Sequence, residues 1–363
     1  MGLRTRTLTW SGLLAVVLFS VVTASAGIGP VTIAPVDVLK VLLNQVAVPS
    51  SITLSSTAAV SVGSVSVPLP QLGYTALFAY QVPETVSTIV WTVRMPRILL
   101  GALVGFALAV AGSVMQGFFR NPMADPSIIG VSTGAAVGAV AAIVLPIPVG
   151  LRVAAFITGL VAAFGVYLIA TENGRTPVAT LLLAGVAVQT FLGAIISFML
   201  TMGGQSLEQA VYWLMGHLHN ATWDEVGFAA LFVPVLFVVL AWYSRDLNVL
   251  LLGEEDAATL GIEVERTKRV LLGVSSLITA AAVAVSGVIG FVGLIVPHMM
   301  RLVVGPDHRI LLPTSALAGA TFLVLTDTVA RTWAGEIPVG IVTAALGAPF
   351  FLFLLRRREV HAL

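Results

Sequence analysis

Charged residues are absent from most of this chain. Stretches without Asp, Glu, Lys or Arg cover residues 7–36, 98–119, 126–151, 153–171, 176–207, 226–244, 270–300, 310–326 and 337–355. A spanning helix needs about 17–25 predominantly apolar residues, and a charge at mid-bilayer costs about 2.5–3.5 kcal/mol on insertion scales. Each run therefore predicts a membrane-spanning helix. The 270–300 run enters the Gly- and Pro-broken segment "SGVIGFVGLIVPHMMR" and has room for a long helix followed by a short one, which brings the expected number to ten.

Two stretches depart from this pattern. Residues 41–93 carry a single charge, Glu84, and the Ser/Thr/Val/Pro mixture "SSITLSSTAAVSVGSVSVPLP", whose partial alternation suits short strands or an irregular external cap. The other is "LLGEEDAATLGIEVERTKR", residues 251–269, which holds eight of the 35 charged residues.

Topology follows from the basic residues. Arg4 and Arg6 precede the first span and "RRR" at 356–358 follows the last, so the positive-inside rule places both ends in the cytoplasm. An even number of spans is then required, and ten leave 13 basic residues inside against five outside, namely Lys40, Arg94, Arg97, Arg152 and Arg331. The charged stretch at 251–269 falls inside. The N-terminus also reads as a signal peptide with Ala24-Ser25-Ala26 as cleavage site, but removing it would leave nine spans and break the parity.

Composition agrees with the class and narrows the chemistry. The chain is 58% hydrophobic and 10% charged with net charge +1, and its mean hydropathy is +1.03, whereas soluble domains are about 25% charged. A near-neutral chain lacks the dense basic face of a nucleic-acid binder. Without cysteine it has no disulfide, thiolate nucleophile or Cys-ligated metal. A phosphate-binding G-x-x-x-x-G-K-[ST] loop needs a Gly-Lys pair, and the two lysines follow Leu39 and Thr267. The five histidines form no H-E-x-x-H pattern, and no G-x-S-x-G elbow is present. An intramembrane enzyme would rest on Asp327 alone, which can instead pair with Arg331 four residues on. Small-residue spacings in "GALVG" (Gly101 to Gly105), "GAAVG" (Gly134 to Gly138) and Gly287, Gly290, Gly293 predict closely packed helices. Pro122, Pro126 and Pro297 predict broken backbone, which tends to border a transport pathway.

Three blocks carry a resemblance. "RMPRILLGALVGFALAVAGSVMQGFFRNPMADPSIIGVSTGAA" (94–136), "SGVIGFVGLIVPHMMRLVVGPDHRILLP" (286–313) and "EIPVGIVTAALGAPFFLFLL" (336–355) resemble the iron-chelate, haem and cobalamin uptake permeases of bacterial ABC importers. The likeness runs from about residue 90 to the end, more loosely through the first helix, and not through 41–93. It implies an all-α polytopic membrane protein of about ten transmembrane helices per subunit, a homodimer around a central pathway. It also implies two cytoplasmic ATP-binding subunits, a periplasmic substrate-binding protein and a location in the bacterial inner membrane. The expected organisation is a first helix and the start of an external segment (1–40), an extracytoplasmic insertion (41–93), helices two to six (94–249), a cytoplasmic coupling segment (250–269), and helices seven to ten with a basic tail (270–363). No cofactor is expected in the chain; ATP and Mg belong to the partner subunit.

The resemblance also assigns residues. Glu254, Glu255, Asp256, Ala257, Ala258, Leu260 and Gly261 match the helix that docks into the ATPase, with Arg301, His308 and Arg309 on the same side. Acidic residues in the first turn suit the helix dipole and Gly261 suits the C-terminal stop. Arg94, Arg97 and Arg331 match arginines that meet glutamates of the binding protein. Met115, Gln116, Asn121, Pro122 and Met123 match the inner gate region, Val178 and Ala179 its partner at the start of the fifth helix, and Gly203, Gly204 and Gln205 the outer turn. The cobalamin importer carries small hydroxyl residues where Val178 and Ala179 stand, so haem or another iron chelate is the expected cargo, with cobalamin or a ferric siderophore as the alternative. His217 and His219 are loop histidines rather than haem ligands. An ion-coupled secondary transporter would place charge along the pathway, and the spans have almost none.

Overall fold

The computed structural model describes residues 2–62, 65–332 and 335–357, so Arg358 and His361 lie outside the described residues. It divides into two units, one of residues 1–25 with 96–363 and one of residues 26–95. In chain order the helices are α1 (Leu3–Gly27), α2 (Pro35–Asn44), α3 (Glu84–Ser87), α4 (Met95–Phe118), α5 (Val131–Val144), α6 (Leu151–Ala170) and α7 (Val178–Thr201). They continue as α8 (Leu207–Leu214), α9 (Trp223–Trp242), α10 (Ser244–Leu250), α11 (Glu254–Thr259), α12 (Val264–Ser286), α13 (Val292–Val304), α14 (His308–Thr332) and α15 (Val339–Arg357). Among the described residues seven helices are long and apolar enough to cross a membrane, and α5, α13 and α15 are shorter apolar helices, ten in all.

In the larger unit α4, α12 and α14 are the most deeply buried of the long helices. By contrast α1, α6, α7 and α9 leave long apolar side chains exposed, such as Phe19, Leu168, Phe191 and Leu231. Helices apolar on every side belong in hydrocarbon. Their ends obey ordinary capping. Thr222 and Glu225 form a reciprocal capping box at the start of α9. The predicted break after 270 falls between Ser286 and Val292, where Gly287 has φ +69° and Phe291 φ +68°.

Glycines set the closest helix contacts. A Cβ at Gly105 would lie 2.8 Å from Leu323 Cβ and also meet the Gly319 backbone, and one at Gly112 would lie 2.7 Å from Gly293 Cα. Gly134 would meet Thr158 O at 2.7 Å, which explains why α5 and α6 pack so closely. In lipid such backbone approach replaces the hydrophobic drive as the source of association. Gly290, by contrast, has nothing within 4 Å. Gly105→Ala should therefore lower stability by about 1–3 kcal/mol through overpacking, whereas Gly290→Ala should be close to neutral; thermal unfolding in detergent distinguishes them.

The smaller unit holds the departure from an all-helical chain. β1 (Ala47–Val62) and β2 (Val65–Ala76) pair antiparallel, from Ala47 opposite Ala76 to Val62 opposite Val65, with irregularities between Pro49 and Ser51 and between Ser55 and Ala59. These strands of 16 and 12 residues are longer than the short strands that partial alternation predicts. Asn44 ties α2 to the chain after the hairpin, donating to Tyr80 O at 2.9 Å and accepting from Tyr80 N at 2.8 Å. A π-helical stretch, Thr88–Arg94, leads into α4.

Candidate functional site

The charged stretch folds as a short helix with a defined stop. Gly253, at φ +129°, starts α11, and Gly261, at φ +86°, ends it. The Ile262 amide donates to Ala257 O and the Gly261 amide to Ala258 O, both at 3.0 Å, which is the Schellman pattern. This geometry sorts the side chains. Ala257 is fully buried, while Ala258 and Leu260 are exposed. Glu254 turns back to Lys268, a buried ammonium that also donates to Glu265 at 3.0 Å and to Thr176 O at 2.7 Å. Glu255, Asp256, Ala258 and Leu260 remain as the presented face, with Leu252 beside them.

The other three residues assigned to that docking surface divide. Arg309 is exposed and holds Asp307 through a fork of charge-assisted bonds, the shortest 2.6 Å. The Arg309 guanidinium, outweighing burial and helped by Asn248, pulls the Asp307 carboxyl down to about 2. His308 is fully buried with Nδ1 2.8 Å from Asn248 Oδ1, which corrects its surface placement. Arg301 donates to Gln116 Oε1 at 2.9 Å. Gln116 is itself fully buried and donates to Leu294 O at 2.9 Å. The guanidinium is thus turned onto α4, because the one side-chain amide of that apolar span needs a partner there.

The gate residues lie at several depths. Met115 belongs to the hydrophobic core at 1% exposure, so it packs rather than lining a surface of this chain. Asn121 caps a turn by accepting from the Met123 amide at 2.9 Å, with Pro122 buried and Met123 half-buried. Val178 and Ala179 begin α7, and Gly203, Gly204 and Gln205 follow its end. The 24 residues of α7 separate the two groups, about 36 Å at 1.5 Å per residue. Between them the helix exposes Leu183, Ala187, Thr190, Ala194, Ser197 and Thr201 along one face.

The three arginines assigned to docking are each engaged within the chain. Arg94 is 6% exposed and donates to Ala26 O at 2.6 Å and Val31 O at 2.5 Å, all within the smaller unit. Arg97 grips Asp327 with its fork, Nε to Oδ2 at 3.0 Å and Nη2 to Oδ1 at 3.0 Å, and donates to Glu336 at 3.1 Å. Arg331 is 6% exposed and donates to Ser25 O and Oγ. Backbone carbonyls, the Ser25 hydroxyl and the carboxylates of Asp327 and Glu336 accept from the three guanidiniums. Spacing on one helix also misses the main partner of Asp327, which is Arg97 on α4.

A cavity of about 740 Å³ lies between α5, α6, α8, α9 and α12, walled by Phe156, Tyr212, Trp213, His217, His219 and Phe228 among others. Burial, followed by the charges of His219 and Arg97, drives the His217 imidazole down to about 4, so it is neutral near pH 7. Among the described residues no group of three or more His, Cys, Asp or Glu is placed to hold a metal ion.

Ten apolar helices and glycine-mediated packing define a multi-pass membrane protein. The FecCD transport family matches residues 13–357, and the chain belongs to it. It is 58% identical over 364 residues to the cobalamin import system permease BtuC of Halobacterium salinarum, covering 99% of this chain and 98% of that one. It is 40% identical over 310 residues to the hemin transport system permease HmuU of Yersinia pestis (82% and 92% covered). The vitamin B12 import system permease BtuC of Escherichia coli is 41% identical over 271 residues (73% and 83%). A solved ABC transporter assigned to the metal-chelate type, in an inward-facing conformation, superposes with TM-score 0.77 at 29% identity, covering 96% and 98% of the two chains.

Proposed function

We propose that the chain is the membrane subunit of an ATP-driven importer for a corrinoid of the cobalamin type. It works as a homodimer with two ATP-binding subunits on the cytoplasmic side, where both termini lie, and a substrate-binding protein outside. The observation that carries the cargo is the 58% identity to a cobalamin import permease, because it extends over 99% of this chain and so through the unit at 26–95. The haem-related permease matches 82% of the chain at 40% identity. Haem stays as the second reading because Val178 and Ala179 present apolar surface where small hydroxyl residues mark the cobalamin importer.

Transport requires no covalent chemistry in this chain. Nucleotide-driven closure of the ATPases would move α11 and, through the Lys268 ties to Glu254 and Glu265, the start of α12, changing which end of the pathway is open. The test is reconstitution in liposomes with the ATPase and binding protein. Cobalamin should stimulate ATP hydrolysis and uptake several-fold over haem or a ferric siderophore, and a protonophore should leave uptake unchanged. Stimulation by haem alone would reverse the order of cargoes. Uptake driven by a proton gradient without ATP would sink the importer reading.

A further inference from the structure

We propose that a groove between α6 and α12 holds one anionic phospholipid, with its phosphate at Arg269 and an acyl chain in the apolar channel. The cavity, about 280 Å³, is lined by Ala163, Phe164 and Leu168 of α6 and by Leu272 and Gly273 of α12, over a floor of Ile129 and Leu181. Apart from Ser276, whose hydroxyl donates back to Leu272 O at 2.7 Å, its polar lining lies at one end. There Arg269 meets Tyr167, whose hydroxyl shares the space with Thr171 and Thr176; the two threonine hydroxyls are 2.9 Å apart.

Four observations fix the occupant as lipid. First, α6 exposes Val161, Leu168 and Ile169 at 66–70% beside the groove, so in a membrane-spanning chain the channel opens onto hydrocarbon, which fills apolar space with acyl chains. Second, the polar end coincides with the last turn of α6 and the early turns of α12, the depth at which tyrosine and arginine meet headgroups.

Third, the charge is available. Lys268 is held by Glu254 and Glu265, and Arg266 lies 3.4 Å from Glu263. Among the described residues no carboxylate comes within 4 Å of Arg269, which is exposed. Arg175, in the turn after α6, adds a second cation at this end, with Glu172 of the same turn as the opposing charge. Basic residues between spans at a membrane face are the usual means of holding an anionic headgroup. Fourth, Gly273 keeps the channel open. Its Cβ position has no neighbour closer than Phe164 at 4.0 Å, so alanine would fit in a helix interior where glycine is intrinsically the poorer choice.

The test uses the full-length protein purified in detergent and incorporated into nanodiscs of phosphatidylglycerol or of phosphatidylcholine. Native mass spectrometry after release should show one phosphatidylglycerol retained per chain and little phosphatidylcholine. Arg269→Gln should weaken that retention about fivefold, the factor for one surface cation. Gly273→Leu should abolish retention by filling the channel. Thermal unfolding without lipid reports whether each variant folds; if Gly273→Leu does not, Arg269→Gln alone decides. Equal retention by wild type and Arg269→Gln would overturn the proposal. So would stabilisation by inorganic phosphate equal to that by phosphatidylglycerol. A change of oligomeric state in Gly273→Leu would mark the groove as a protein interface and also overturn it.

Discussion

Arg97→Ala should destabilise the folded permease by about 3–5 kcal/mol, the cost of leaving one partner of a buried ion pair without the other. Asp327 is 2% exposed, and its carboxylate accepts three bonds from Arg97 at 3.0–3.1 Å. Removing the guanidinium strands the carboxylate among packed helices, with Arg331 nearby but donating to Ser25. Asp327→Ala should cost less, since Arg97 keeps Glu336 at 3.1 Å, and Glu336 is solvated at 42% side-chain exposure. The double variant Arg97→Leu with Asp327→Leu should recover much of the loss, because a buried pair yields little net stability over apolar packing. Glu336→Gln should cost less than about 1 kcal/mol, as exposed pairs do. Reversible unfolding in mixed micelles measures all four. A cost below about 1 kcal/mol for Arg97→Ala would show that water reaches Asp327.

The same pair shows what a linear reading can and cannot reach. Ten helices are legible because a bilayer penalises each misplaced charge, and the glycine spacings are legible because close packing in lipid requires small residues. Spacing along one helix, however, exposes only neighbours three and four residues apart. Arg331 is such a neighbour of Asp327, whereas Arg97 stands 230 residues away. Counting outward arginines likewise treats an interfacial position as an open one, and says nothing of the carbonyls at Ser25, Ala26 and Val31 that claim Arg94 and Arg331. Gln116 had a readable signal, being the one amide in a charge-free span. Its partner Arg301 had none, because a cation just beyond an apolar run reads as solvated.

The hairpin at 47–76 was half legible. Alternation of Ser, Thr and Val announces strands, yet their length and register depend on cross-strand partners that one strand cannot specify. Residues 254–261 were legible in outline, and here geometry divides what the letters treat alike. Adjacent alanines look interchangeable. The Schellman stop after Leu260 instead turns Ala257 inward to full burial and leaves Ala258 outward.

Ala258→Arg should therefore reduce ATP-driven uptake to background, at least tenfold, while membrane insertion and unfolding temperature stay near wild type. Arginine on the exposed face is tolerated by the isolated subunit, because Ala258 faces solvent and arginine is a good helix former. A bulky cation there, between Asp256 and Leu260, would block a small apolar knob from entering a cleft on the proposed ATP-binding partner. Truncating such an anchor commonly costs 2 kcal/mol or more, and obstructing it costs further. Ala257→Arg supplies the contrast: it forces a guanidinium into a site with 0% exposure, so it should lower the unfolding temperature as well as transport. Leu260→Ala should give a partial defect, since Leu260 is 62% exposed in the free chain and has its packing to gain only on docking. Co-purification with the ATP-binding subunit separates the outcomes. If Ala258→Arg retains the partner and transports normally, α11 is a topological loop and coupling must run through other residues on that face.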